Sequence, residues 1–139
     1  MRKLLILILL TLMSGCRQEQ KSPVAISNIS TYRLLSEHNQ HREFPLVIDF
    51  GLEDYAQEHA EWMVKTGRFR HSSLSVSGWS RLGENIAWGQ RDEVHVTNSW
   101  MKSPGHKANI VNERFTHVGF GFAQSEGGEI YWCAVFGGS

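Results

Sequence analysis

Cysteine is nearly missing from this chain: Cys16 and Cys133 are the only two among 139 residues. That excludes the multi-disulfide framework that staples many small exported domains. Proline occurs three times, and no internal repeat or low-complexity tract is present. Charge has no excess of either sign, with 14 basic against 14 acidic residues. With no basic patch and no RNA-binding motif, nucleic acid is not an expected partner. Long apolar runs are missing as well. The stretch Leu4 to Met13 is too short to cross a hydrocarbon core of about 30 Å as a helix, which takes roughly 20 residues. What is present is 41% apolar, with five Trp and seven Phe, enough to build a core without metal or disulfide staples.

The N-terminus has the layout of a secretory signal peptide. Arg2 and Lys3 precede the apolar run Leu4–Leu10, and small residues lead into Cys16. The ending Ser14-Gly15-Cys16 resembles the bacterial lipobox, with Met13 where that pattern prefers Leu. The resemblance implies removal of residues 1–15, lipid on Cys16, and a chain exported and held at a membrane of the cell envelope. Arg17 stands where an inner-membrane retention signal carries Asp, which favours the outer membrane in a two-membrane host. Residues 16–29 then read as lipidated Cys and tether. About 13 flexible residues span roughly 20 Å. Residues 30–139 make one domain of ordinary size.

Within that domain the spacing predicts helices first and strands last. A first helix is expected over Ser30–Arg42, with Leu34, Leu35 and His38 on one face. Pro45 marks a break. A second helix follows over Phe50–Thr66, carrying Leu52, Ala56, His59, Ala60 and Met63 at helical spacing, with Gly67 as its stop. Residues 68–81 read as loop. A third helix over Asp92–Lys102 presents either Val94, Asn98 and Met101 or Val96 and Trp100 inward. A fourth starts at Pro104 and runs to Val111. Phe115–Gln124 and Glu129–Phe136 are β-rich runs joined by the hairpin sequence Ser125-Glu126-Gly127-Gly128. The order implies an α+β domain with an antiparallel sheet. Cys133 falls in the last run and reads as a small core hydrophobe, without an intrachain partner if Cys16 carries lipid.

Five local patterns then line up: His38-Asn39 with Arg42, Arg70-His71-Ser72, Gly83-Glu84-Asn85, Trp100 through Ser103-Pro104-Gly105-His106, and His117-Val118-Gly119 with Tyr131-Trp132. Together they resemble the CAP superfamily, or SCP domain (cysteine-rich secretory proteins, antigen 5, pathogenesis-related 1), in its cysteine-poor bacterial branch. The resemblance covers residues 31–137. It implies a three-layer α-β-α sandwich around a small, mainly antiparallel sheet. It also implies a shallow cavity in which His71 and His106 match the family's two histidines and Glu84 its first acid. The second acid's position is Ser103 here, which removes a carboxylate; Glu93 is a candidate to reach in from the third helix.

That trio admits several readings. Two neutral imidazoles and a carboxylate are the donor set of a three-ligand divalent metal site such as zinc, yet they are dispersed in sequence. Without metal, Glu84 and an imidazole form an acid–base couple able to support hydrolysis of an envelope polymer or peptide. The bland alternative is a polar network that fixes loops over the sheet. The expected function is a binding or interaction module at the cell envelope, with hydrolase and lipid or sterol binding as alternatives. His38, Asn39 and Arg42 are expected to tie the first helix to neighbouring loops. His59 reads as a core or boundary histidine. His117 sits beside the site without a defined direction, and Trp79, Trp88, Trp100 and Trp132 read as core or cavity wall.

Overall fold

The computed structural model describes residues 26–139. The expected signal peptide, Cys16 and the start of the tether lie outside them. The tether's end, Ile26–Asn28, forms a short 3-10 turn. Four helices follow: α1 (Thr31–Asn39), α2 (Phe50–Thr66), α3 (Glu93–Met101) and α4 (Pro104–Val111). Four strands complete the chain: β1 (Val47–Ile48), β2 (Arg81–Trp88), β3 (His117–Gln124) and β4 (Ile130–Gly138). They form one sheet in the order β1-β3-β4-β2, antiparallel except for the parallel β1/β3 pair. No helix among the described residues is long and apolar enough to cross a membrane.

The expected sandwich is what forms, and strand alternation explains why. On one face Ile86, Cys133 and Val135 pack against Leu52, Ala56, Ala60 and Met63 of α2. On the other, Val118, Phe120, Trp132, Ala134 and Phe136 meet Leu34, Val96, Trp100 and Ile110 from α1, α3 and α4. The second helix has the bounds its sequence predicts. Asp49 caps it by accepting from Leu52 N at 2.8 Å, and Gly67 ends it in the left-handed conformation with φ 63°. β3 meets it with Gly119 and Gly121, whose missing side chains let the helix backbone lie directly on the strand.

Several expectations need correction. The first helix stops at Asn39, because the chain turns there to deliver Asn39 and Arg42 elsewhere. Asn39 pairs with Leu46 N and O, fixing the approach to β1. Arg42 donates to the carbonyls of Phe44, Ile110, Asn112 and Phe115, and pairs with Glu113 at 3.3 Å. Both act as ties, as expected. His38 does not: it is fully buried between Trp100, Phe120 and Phe136. Glu93 does not reach the site either. It is buried and accepts from Ser30 N at 2.7 Å, joining α3 to the capped start of α1. On α3 it is Val96 and Trp100, with Thr97, that face inward.

The strands β1 and β2 were not expected. β2 begins at Arg81, where the expected loop ends, and Gly83-Glu84-Asn85 interrupts any apolar alternation. It nevertheless pairs with β4 along its whole length. Its outer edge is covered by side chains: Asn109 Nδ2 donates to Glu84 O and Trp100 Nε1 to Ile86 O.

Arg42 illustrates how far one side chain carries the α4–β3 connection. Arg42→Lys is expected to cost about 2 kcal/mol in urea unfolding at neutral pH, since an ammonium cannot reproduce the planar fork and leaves buried carbonyls unpaired. Loss of under ~0.5 kcal/mol would show those carbonyls to be satisfied without it.

Candidate functional site

The site is built on β2, whose adjacent residues Glu84 and Asn85 point to opposite faces of the sheet. Glu84 lies on the α2 side, beside Cys133, and its side chain is only 2% exposed. Its carboxylate accepts from Ser72 N at 2.9 Å, Ser72 Oγ at 2.5 Å and His71 Nδ1 at 2.7 Å. The Cys133 thiol points at the same carboxylate from 3.8 Å. Burial, and then the neighbouring Glu84 charge, push that thiol's pKa well up, so Cys133 is no nucleophile.

Asn85 works on the other face. Its Nδ2 donates to His106 O at 3.0 Å, and its Oδ1 accepts from Asn109 Nδ2 at 2.8 Å. Gly83 has no room for a side chain, since a Cβ there would strike Phe115 and Asn109. The three residues therefore form a two-sided clamp. One side holds the loop that carries His71; the other holds the first turn of α4, which carries His106.

The loop is fixed at further points. His59 Nε2 donates to Arg70 O at 2.9 Å, and its ring stacks on Trp62 at 5.5 Å. Arg70 lies over the Trp62 ring, 5.0 Å from its centroid. Tyr55 donates its hydroxyl toward Ser72 Oγ and Ser73 O. His59 is thus the boundary histidine its helix position implies. His117 packs against Trp79, and its Nδ1 pairs with Thr116 Oγ1.

His71 and Glu84 are brought into contact as the sequence suggested, but with a different division of labour. A carboxylate can only accept from the ring, so His71 Nδ1 carries a proton and Nε2 is the ring nitrogen left for other contacts. The His71 side chain is 59% exposed, while Glu84 is shut in. His106 is half-buried; burial, and then the charge of nearby His71, lower its pKa, so at neutral pH it is an uncharged imidazole.

His71 and His106 line adjoining pockets and stand near enough for the one to act electrostatically on the other. His71 lines a pocket of about 330 Å³ with His59, Trp62, Arg70, Ser72 and Ser73. His106 lines a neighbouring one of about 310 Å³, with Phe69, Trp88, Gln90, Trp100 and Ser103 among its walls. Among the described residues no three His, Cys, Asp or Glu side chains converge as metal ligands. The donor set therefore does not fit a zinc site with three protein ligands, because the carboxylate is already used from behind. Sequence reasoning missed Ser72, Asn109 and the Cys133 contact. Ser72 alone left a signal, as the neighbour of His71.

A helix–sheet–helix sandwich whose Gly-Glu-Asn strand clamps two histidine-bearing segments defines an SCP-type domain. The chain belongs to the cysteine-rich secretory protein (CAP) family, whose profile matches residues 26–136. It is 35% identical over 92 residues to the uncharacterized protein YkwD of Bacillus subtilis (strain 168), an alignment covering 58% of this chain and 36% of that protein. Its fold matches the crystal structure of an extracellular SCP-domain protein from Bacillus anthracis with a TM-score of 0.67 and 26% identity, covering 78% of this chain and 40% of that one. It also matches NaASP2, crystallised with Zn2+, at a TM-score of 0.61 and 16% identity, over 81% of this chain and 83% of that one. The chain thus spans well under half of the two bacterial proteins.

Proposed function

We propose that this is a binding module displayed outside the cytoplasm and not a hydrolase. The observation that carries the reading is the state of Glu84. Its carboxylate is buried and meets the loop through two hydroxyl or amide donors and one imidazole, so it is neither free to take a proton from water nor free to ligate a metal. It positions His71, as the outer carboxylate does in carboxylate–histidine–metal arrangements. The ligand-facing groups are then Nε2 of His71 and the ring of His106. A divalent metal here would have those two protein ligands, one fewer than the three of an open zinc site. The zinc in NaASP2 makes that ion the first to try.

Display outside the cytoplasm is supported by the signal-like N-terminus, the lipobox-like Ser14-Gly15-Cys16 and the extracellular B. anthracis relative. A lipid on Cys16 would keep the domain within a tether's reach of the membrane. That favours an envelope polymer, peptide or small polar ligand over a freely diffusing one. Lipid or sterol binding is less favoured, because the His71 pocket is lined largely by polar and charged groups.

The test separates clamp from catalyst. Ser72→Ala is expected to cost about 1.5 kcal/mol and Glu84→Ala about 3 kcal/mol in unfolding free energy, with Glu84→Gln between them. Panels of peptide, ester and peptidoglycan substrates are expected to stay unhydrolysed. Turnover that disappears in Glu84→Gln while the fold survives overturns the proposal. Saturating zinc is expected to raise the melting temperature of the full chain, with His71→Ala and His106→Ala each abolishing the shift. An unmoved melting temperature would remove the metal from this reading.

A further inference from the structure

The cavity beside His106 has a different chemistry from the His71 pocket. Its lining contains no Asp, Glu, Lys or Arg. Two walls are aromatic: Phe69, from the loop after α2, is 51% exposed, and Trp88, at the end of β2, is 50% exposed. Trp88 is braced from behind by Tyr131 of β4, with ring centroids 6.1 Å apart. Around these walls stand polar side chains without partners. Gln90 Oε1 is shielded from solvent and accepts no hydrogen bond. Ser103 occupies the N-cap position of α4, yet its hydroxyl makes no capping bond. His106 contributes an imidazole that is neutral at physiological pH, with one donor and one acceptor. An unpaired, shielded acceptor such as Gln90 Oε1 costs about 1–3 kcal/mol. A ligand that pairs it recovers that energy.

We infer that this cavity seats one neutral sugar ring, of the hexose or N-acetylhexosamine class. The ring's C–H face packs against Trp88 and Phe69, and its hydroxyl or amide edge meets Gln90, Ser103 and His106. The chemistry of the lining selects this class. A phosphate or acidic ligand finds no cation there. An acyl chain leaves the amide, hydroxyl and imidazole unpaired. A peptide docking by strand addition needs a free sheet edge. Here the β2 edge carbonyls of Glu84 and Ile86 are already taken by Asn109 and Trp100. A pyranose offers an apolar face and a polar rim at once, which is the combination the cavity presents. The inference rests on the domain being a binding module and adds the ligand's class, at a cavity next to the one His71 lines.

The experiment titrates the full chain, in mild detergent, with glucose, N-acetylglucosamine and its linear trimer, reading tryptophan fluorescence and calorimetric heat. At least one sugar is expected to bind at millimolar concentration or better. Trp88→Ala and Gln90→Ala are each expected to weaken it about tenfold, the worth of one stacking contact or hydrogen bond. Both residues lie outside the packed core, and circular dichroism confirms that the variants fold. Silence toward all three sugars at tens of millimolar overturns the inference, as does sugar binding indifferent to Trp88. Octanoate that binds in a Trp88-dependent way where sugars do not overturns it in favour of a lipid. If sugars are silent while the His71-dependent zinc shift persists, the ligand class falls alone. If both are silent, the binding-module reading falls with it.

Discussion

Gly121→Ala is expected to lower unfolding free energy by about 3 kcal/mol or more, or to leave no folded protein at all, and Gly119→Ala to behave alike. A Cβ at Gly121 would sit inside contact distance of Ala56 C and O and Gln57 N. One at Gly119 would overlap Glu53 N, Leu52 C and Glu53 Cα. The obstacles are backbone atoms of α2, so no rotamer change relieves them; the helix must lift off the sheet. Lifting it loosens Leu52, Ala56, Ala60 and Met63, all fully buried against Cys133 and Val135. The effect reaches the site as well, since β4 and α2 carry the wall behind Glu84. Gly127→Ala, whose new methyl would meet only side-chain atoms of Glu129 and Ser125, is the control and is expected to be near neutral. Urea denaturation of the three variants checks this. A Gly121→Ala loss below ~1 kcal/mol would mean that helix and strand can separate cheaply.

The second large effect is acid lability centred on His38. Burial holds its pKa down at about 4, opposed by a hydrogen bond from Nδ1 to Leu34 O at 2.8 Å, with His41 and Arg42 adding repulsion. Because a carbonyl only accepts, Nδ1 bears the proton and Nε2 faces the aromatic core without a partner. A histidine whose pKa is lower in the folded state binds its proton first in the unfolded chain. Stability is therefore intact above the unfolded value of 6.5 and falls as pH drops through the window from 6.5 to about 4. Below it the full loss has been incurred. Two and a half pH units of one-proton linkage amount to about 3 kcal/mol. His38→Leu suits the surrounding Trp100, Phe120 and Phe136 and is expected to flatten this limb of the stability–pH curve while changing stability little at pH 7. An acid limb of unchanged steepness in His38→Leu would assign the loss to other groups.

These two sites divide what could be read locally from what could not. The bounds of α2 and α4 and the hairpin β3–β4 were legible because each is announced by its own residues. Leu52, Ala56, Ala60 and Met63 mark a stripe, Gly67 marks its end, Pro104 opens the last helix, and Ser125 to Gly128 turns the chain. The family was legible because its motifs keep their order. His38 was on the right helix face, but nothing in its neighbours told that three aromatic rings from α3, β3 and β4 would close over it.

The strand β2 shows the same limit at the site. Gly83, Glu84 and Asn85 break the apolar alternation by which strands are recognised, and they do so because each has a partner elsewhere. Glu84 answers Ser72 from 12 positions away, and Asn85 answers the His106 carbonyl from 21. Capping, turn chemistry and apolar period act over a few residues, so the sequence by itself determined the helices, the hairpin, the family and the identities of His71, Glu84 and His106. Only the tertiary structure decided that the Glu84 carboxylate is buried against Ser72 and His71, and that the two imidazoles stand on adjoining pockets. A lone pair is claimed by whichever donor the folded sheet brings to it, and that pairing is written between segments that meet only after packing.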